Sequence, residues 1–252
     1  VMTELATIPT TREEDWRYSD GAYLAAADPA AIRQWRTLDV PAGDTHGESF
    51  TFLEDTSGTE RLRVSVGAGG TFSCFAAIAS GRYRRLELEV TLAEGAHFEF
   101  GGVTVGGGDA VQEFVTRVIH AEPHGTSNQV VRAVQWGKST GNFLGRIEVV
   151  RDAQKTDAAQ NFRALLLEKG AASNTKPELE IFADDVKCAH GAAIGALDDS
   201  AAFYMAARGL PPEVARRLLV QAFIGDAFAA MADDEAREAM LGHVLEKLGD
   251  AV

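Results

Sequence analysis

Leu86-Glu87-Leu88-Glu89-Val90-Thr91-Leu92 alternates apolar and polar residues without a break. A period of two is the mark of a strand with one face buried and one face turned outward. The same texture extends in both directions. Ser49-Phe50-Thr51-Phe52-Leu53 and Arg61-Leu62-Arg63-Val64-Ser65-Val66 precede it. His97-Phe98-Glu99-Phe100, Val103-Thr104-Val105, the run from Asn128 to Trp136 and Phe143 to Val150 follow. Gly, Asn, Asp and Thr mark the breaks, and no long helix fits between about 49 and 182. Many short strands predict a sandwich, a barrel or a β-helix, and no clean repeat motif selects one of them.

The flanks read as helical. Thr11 precedes Glu13, Glu14 and Asp15, carboxylates suited to a first helical turn, and the acidic, aromatic stretch continues to about Leu38. Asp28-Pro29 places an N-cap before a proline at the first helical position. Near the other end Asp198 caps a helix running to Arg208, with Gly209 as its stop. Pro211-Pro212-Glu213 opens a second helix to about Ile224, and Asp233 to Leu248 makes a third. These boundaries divide the chain into an N-terminal helical segment (1–40), a β core (41–192) and a C-terminal helical domain (193–252).

On the helix after Pro212, Val214, Ala215, Leu218, Leu219, Ala222 and Phe223 share a broad apolar face. Glu213, Arg216, Arg217 and Gln221 lie opposite, but so do Val220 and Ile224. Two apolar residues on the polar side predict either a second contact surface for a partner or a helix sandwiched within its own domain.

Composition narrows the function. The chain has 252 residues, 46% hydrophobic and 24% charged, with 24 basic against 37 acidic side chains and a net charge of −13. Such a surface repels phosphate backbones and anionic lipid, which argues against nucleic-acid and membrane partners. No apolar run reaches the roughly 20 residues of a membrane-spanning helix. No basic-then-apolar leader opens the chain, and Val1 ahead of Met2 reads as an addition before a natural start. Cys74 and Cys188, 114 positions apart, fit a reducing cytoplasm better than a disulfide. Two cysteines also fall short of the four thiolates of an ordinary iron–sulfur site.

Several motifs invite a functional reading and lose it on inspection. Gly137-Lys138-Ser139-Thr140 resembles the end of a phosphate loop, but Arg132 stands where that loop needs glycine and a strand follows. Gly67-Ala68-Gly69-Gly70 and Gly106-Gly107-Gly108 lack dinucleotide spacing and read as turns. Glu87 and Glu89 share one strand face and read as a solvated face instead of an acid/base pair. His46, His97, His120, His124 and His243 show no metal-ligand spacing. Cys188-Ala189-His190 is different: on an extended segment the thiol and imidazole project to one side. The pair fits a buried thiol with a hydrogen-bonded imidazole, half of an iron or zinc site, or a nucleophile with its base.

The residues around the pair resolve part of this. The run from Lys176 through Cys188-Ala189-His190-Gly191 to Ala192 resembles the C-terminal signature of the SufD branch of the SufB/SufD family, scaffold proteins of the Suf iron–sulfur assembly machinery. The likeness continues through Ile194-Gly195, Leu197-Asp198, Phe203-Tyr204 and Arg208-Gly209 to Ala222-Phe223. Gly141-Asn142-Phe143, Asp157 to Asn161 and Thr11 to Asp20 are similar to other family segments. The likeness is dense from about 140 to 225.

The resemblance implies a right-handed parallel β-helix flanked by the two helical parts. It implies a non-catalytic subunit that pairs with a SufB-like protein through the β-helix and binds a SufC-like ATPase through the C-terminal helices. A homodimer of the isolated chain fits the same shared fold. Cys188 and His190 would lie at the inter-subunit cluster-assembly site and share metal ligation with the partner, the cluster being transient and no cofactor resident in the chain alone. Leu218, Val220, Gln221, Phe223, Ile224 and Asp226 would form the ATPase contact. The alternative is a β-fold enzyme with Cys188 as nucleophile and His190 as base. Two departures stand out: Ala189 replaces a serine common in the family, and the chain is shorter than many members.

Overall fold

A computed structural model of the chain describes residues 8–249; Val1 and Met2 lie outside the described residues. Twelve strands alternate between two six-stranded, wholly parallel sheets, so each strand pairs with the one two places away in sequence. This is a parallel β-solenoid of about six coils. Odd-numbered strands form one sheet: β1 (Arg36–Val40), β3 (Gly58–Val66), β5 (Arg84–Leu92), β7 (Val111–His120), β9 (Thr140–Val149) and β11 (Ala172–Ile181). Even-numbered strands form the other: β2 (Thr45–Phe52), β4 (Thr71–Ile78), β6 (His97–Gly106), β8 (Thr126–Gln135), β10 (Asp157–Leu166) and β12 (Lys187–Gly195).

In-register stacking turns the alternating pattern into rows along the solenoid axis. Leu62, Val64 and Val66 stack under Leu88, Val90 and Leu92, and Phe72 under Phe98, all buried between the sheets. Their outward neighbours form separate rows on the surface of each sheet. Gly137-Lys138 sits in the turn between β8 and β9, with Gly137 at φ 64° and the Lys138 N–H donating to Gly108 O at 2.6 Å. The left-handed conformation explains the glycine, and no helix follows it.

The N-terminal part holds two short helices, α1 (Gly21–Ala26) and α2 (Pro29–Arg33), capped by Asp20 and Asp28. The first coil already begins at Arg36, inside the stretch whose helical reading runs to about Leu38. This segment lies as a strap over the outer face of the odd-numbered sheet. Arg61 Nη1 donates to Ile32 O, Arg85 Nη1 to Asp15 O at 2.7 Å, and Asn142 Nδ2 to Tyr18 O at 3.2 Å. Lys176 on β11 reaches Glu14. On β7 it is Glu113 that accepts, from Ser19 Oγ at 2.9 Å, so the strap touches every odd-numbered strand from β3 to β11.

Glu87 and Glu89 are not the solvated face expected of them. Glu87 accepts from Arg61 Nε and Nη2 and from Arg85, while Glu89 accepts from Arg63 at 2.7 Å. Their outward rows are covered or cross-linked by neighbouring arginines, and Arg85 and Glu113 beside them are fully buried.

The C-terminal helices α3 (Asp199–Ala206), α4 (Pro212–Gly225) and α5 (Asp234–Leu248) double back along the even-numbered sheet. Helix α4 packs over β8 and α5 over β4 and β6. Phe75, Val103, Val105 and Val134 on the outer sheet face meet Val220, Ile224, Phe228, Met240 and Val244. Gly101 makes this close approach possible, since any Cβ there would collide with the Ala227 carbonyl oxygen. No described helix is long and apolar enough to cross a membrane.

Candidate functional site at the open end of the solenoid

Strands β11 and β12 close the last coil, and among the described residues no strand pairs beyond them. An interior that is continuous for five coils thus ends on an uncovered rim. On β12 the register sets Cys188 over Ala158 and His190 over Gln160, both of them buried inward residues of β10. Strand alternation then puts Cys188, His190, Ala192 and Ile194 on the inward face of the last coil. Cys188 is half-buried against the apolar cluster that holds Ile147, Val149 and Ala158, whereas His190 is exposed. On the same coil Ile181, Phe182 and Ile194 stand 40%, 60% and 45% exposed. Large apolar side chains left open at a sheet end are the usual sign of a partner surface.

The predicted pair is therefore brought to one face, but not to each other. Among the described residues no hydrogen bond joins Cys188 to His190. Burial holds the Cys188 thiol above its ordinary range, and the Asp157 carboxylate adds to this, against a weaker opposing hydrogen bond at Ala158. A nucleophilic cysteine needs the opposite shift. Nor do three His, Cys, Asp or Glu side chains converge on one metal position among the described residues. One chain offers at most part of a ligand set.

Sequence reasoning missed the polar residues beneath the pair. Gln160 reaches across the interior, its Nε2 donating to Gly145 O at 3.2 Å and to Glu178 O at 3.3 Å. It thereby ties β10 to β9 and to the last-coil strand β11. Gly145 is small enough to admit it, because a Cβ there would strike Gln160 Oε1. The signal lay in register, which only the stacked coils supply.

The second predicted surface needs correction. Val220 and Ile224 are completely buried against the solenoid, so they are the sandwiched side of α4 and not a contact for another protein. The narrower face of α4 meets the sheet, and part of the broad apolar face is left outside. Leu218 is 43% exposed, with Val214 beside it and Phe203 and Tyr204 of α3 more open still. Gln221 and Phe223 are half-buried, and the Arg132 guanidinium lies 5.8 Å from the Phe223 ring centre. Asp226 is held by Arg132, which also donates to Asn161 O at 3.2 Å.

Fold and site together define a class: a parallel β-solenoid that leaves large apolar side chains exposed on its last coil and on a C-terminal helical patch. The family follows from comparison with known proteins. Residues 51–223 match the model described as "SUF system FeS cluster assembly, SufBD core domain", and the chain belongs to that family as a SufD-like member. It is 35% identical over 194 residues to an iron–sulfur cluster assembly SufBD family protein of Synechocystis, a match covering 71% of this chain and 43% of that one. It is 36% identical over 122 residues to SufD of Escherichia coli, covering 48% and 29% of the two chains. With the chloroplastic protein ABCI7 of Arabidopsis thaliana it shares 40% identity over 131 residues, covering 51% and 27%. The matched part spans less than half the length of each of these relatives.

Proposed function

We propose that this chain is a non-catalytic scaffold subunit of iron–sulfur cluster assembly that works only in a complex. Its open solenoid end pairs with a SufB-like subunit, and the α3–α4 patch receives a SufC-like ATPase. The observation that carries the reading is the state of the last coil: a thiol and an imidazole on neighbouring inward rows, on a coil that also exposes Ile181, Phe182 and Ile194. A cluster is the cargo here, and two candidate ligands are too few to hold one. A facing subunit would supply the rest and would also shield the site from water.

In this arrangement His190 offers an imidazole nitrogen to iron, and Cys188 offers its sulfur once deprotonated. Burial and the Asp157 carboxylate disfavour the thiolate of Cys188 in the free chain, and a metal or partner charge would favour it. Of the six residues first assigned to the ATPase contact, Leu218 and Gln221 are kept, and the contact shifts to include exposed Phe203, Tyr204 and Val214. The competing reading, an enzyme with a Cys188 nucleophile and a His190 base, lacks an activated thiol and a bond between the two groups. Assembly in cells separates the alternatives. His190→Ala should abolish maturation of iron–sulfur enzymes while leaving the chain folded and soluble. Normal maturation in that variant would overturn a role for the site.

A further inference from the structure

The first coil has an open rim too, and it is finished differently. At this end β1 and β2 are the outermost strands among the described residues, and two of their inward rows begin with charge, beside apolar Leu38, Val40, Phe50 and Phe52. Arg36 stacks over Leu62, and Glu48 over Cys74, positions that are wholly apolar in the next coil. Arg36 Nη1 and Nη2 donate to the two Glu48 carboxylate oxygens, each at 3.0 Å. His46, heading the adjacent row above Phe72, adds a contact to Glu48 at 3.2 Å. The Arg36 guanidinium also lies 5.6 Å from the Phe50 ring centre, and that of Arg84 lies 4.2 Å from Phe52. The aromatic side chains on this rim are thus overlaid by cations, whereas Phe182 and Ile194 at the far rim are bare.

We propose that the Arg36–Glu48–His46 cluster closes the first-coil end to other solenoids, so that the molecule assembles through its last coil alone. Inward-pointing charge on an edge strand obstructs strand addition, because a second sheet edge would have to strip water from the bidentate pair. The core does not call for these residues: the rows beneath them run on through Leu62 and Leu88, and through Cys74 and Phe100, without a charge. A solenoid with two bare rims would add copies head to tail without limit. One closed rim caps the assembly at a pair, whichever chain the partner is.

The test is made on the full chain and read at the first-coil rim itself, so the pairing proposed for the last coil does not enter the result. Hydrogen exchange of the β1 and β2 amides is followed across a hundredfold range of protein concentration, with sedimentation velocity in parallel. In the wild type these amides should exchange at one rate throughout. In Arg36→Leu/Glu48→Leu they should become protected as concentration rises, with species larger than any the wild type forms. Arg36→Met/Glu48→Met serves if the leucine pair misfolds by circular dichroism. Concentration-dependent protection of β1 and β2 in the wild type would overturn the proposal. So would a folded variant that associates no further than the wild type.

Discussion

His190 stands directly beyond Gln160 in one inward row and is the last member of it. The row runs Glu48, Cys74, Phe100, Gln129, Gln160, His190, one residue from each even-numbered strand. Everything between the two ends is buried. The imidazole is therefore what a core position becomes when no further coil covers it. That relationship makes the site a property of the solenoid's end, and the predictions below depend on it.

Cys188 should behave as a protected thiol, not as a nucleophile. Burial and the Asp157 carboxylate both raise it, so the thiolate fraction at neutral pH falls below that of a free cysteine. Alkylation followed by mass spectrometry should show a pH midpoint above the ordinary value of about 8.5. Asp157→Asn removes a negative charge and should move that midpoint down while leaving burial in force. Fast labelling at pH 6–7 would instead favour the enzymatic alternative.

The two sides of α4 should separate stability from binding. Ile224→Ala opens a void between helix and sheet and should cost roughly 2–5 kcal/mol in denaturant unfolding. Leu218→Ala lies on the open side and should change stability by no more than about 0.5 kcal/mol. Only the second kind of change, extended to Leu218→Asp or Phe203→Ser, should weaken recovery of a SufC-like ATPase without unfolding the chain. Equal destabilisation by both residues would mean that the exposed face is packed in solution.

The strap over the odd-numbered sheet should depend on a buried charge pair. Arg85 is fully buried, bonded to Glu113 at 3.0 Å, and its guanidinium lies 3.8 Å from the Trp16 ring centre. Removing Glu113, as in Glu113→Leu, leaves Arg85 paired with Glu87 alone and takes an acceptor from Ser19 Oγ and Tyr83 Oη, and should cost roughly 1.5–3 kcal/mol. Arg85→Met/Glu113→Leu should recover much of that loss. A thermodynamic cycle on urea unfolding measures the difference, and additive losses would deny the coupling.

The elements were largely legible before the fold was. Alternation from Leu86 to Leu92 gave strands, and Asp28, Asp198 and Asp233 gave helix starts where they occur. The coils were hidden because the stacking interval drifts, from 26 residues between Arg36 and Leu62 to 32 between Leu144 and Lys176. A drifting interval defeats any search for a fixed repeat. Cys188 and His190 were visible as a local spacing, but their place on the last rim was not. Glu87 was misread, and the side of α4 with Val220 and Ile224 was left open between a partner and the sheet, for one reason: periodicity says which residues share a face, and only packing decides which face is covered.

Pairing at the last coil is the central claim, and tagged co-purification tests it most directly. The chain is expressed in its own cells as wild type and as Phe182→Asp/Ile194→Asp, two changes at exposed positions of the rim. The wild type should recover a SufB-like protein together with an ATPase. The rim variant should lose the first and keep the second, because α3 and α4 are untouched. Recovery of the SufB-like protein by the rim variant, or by neither form, would contradict the account.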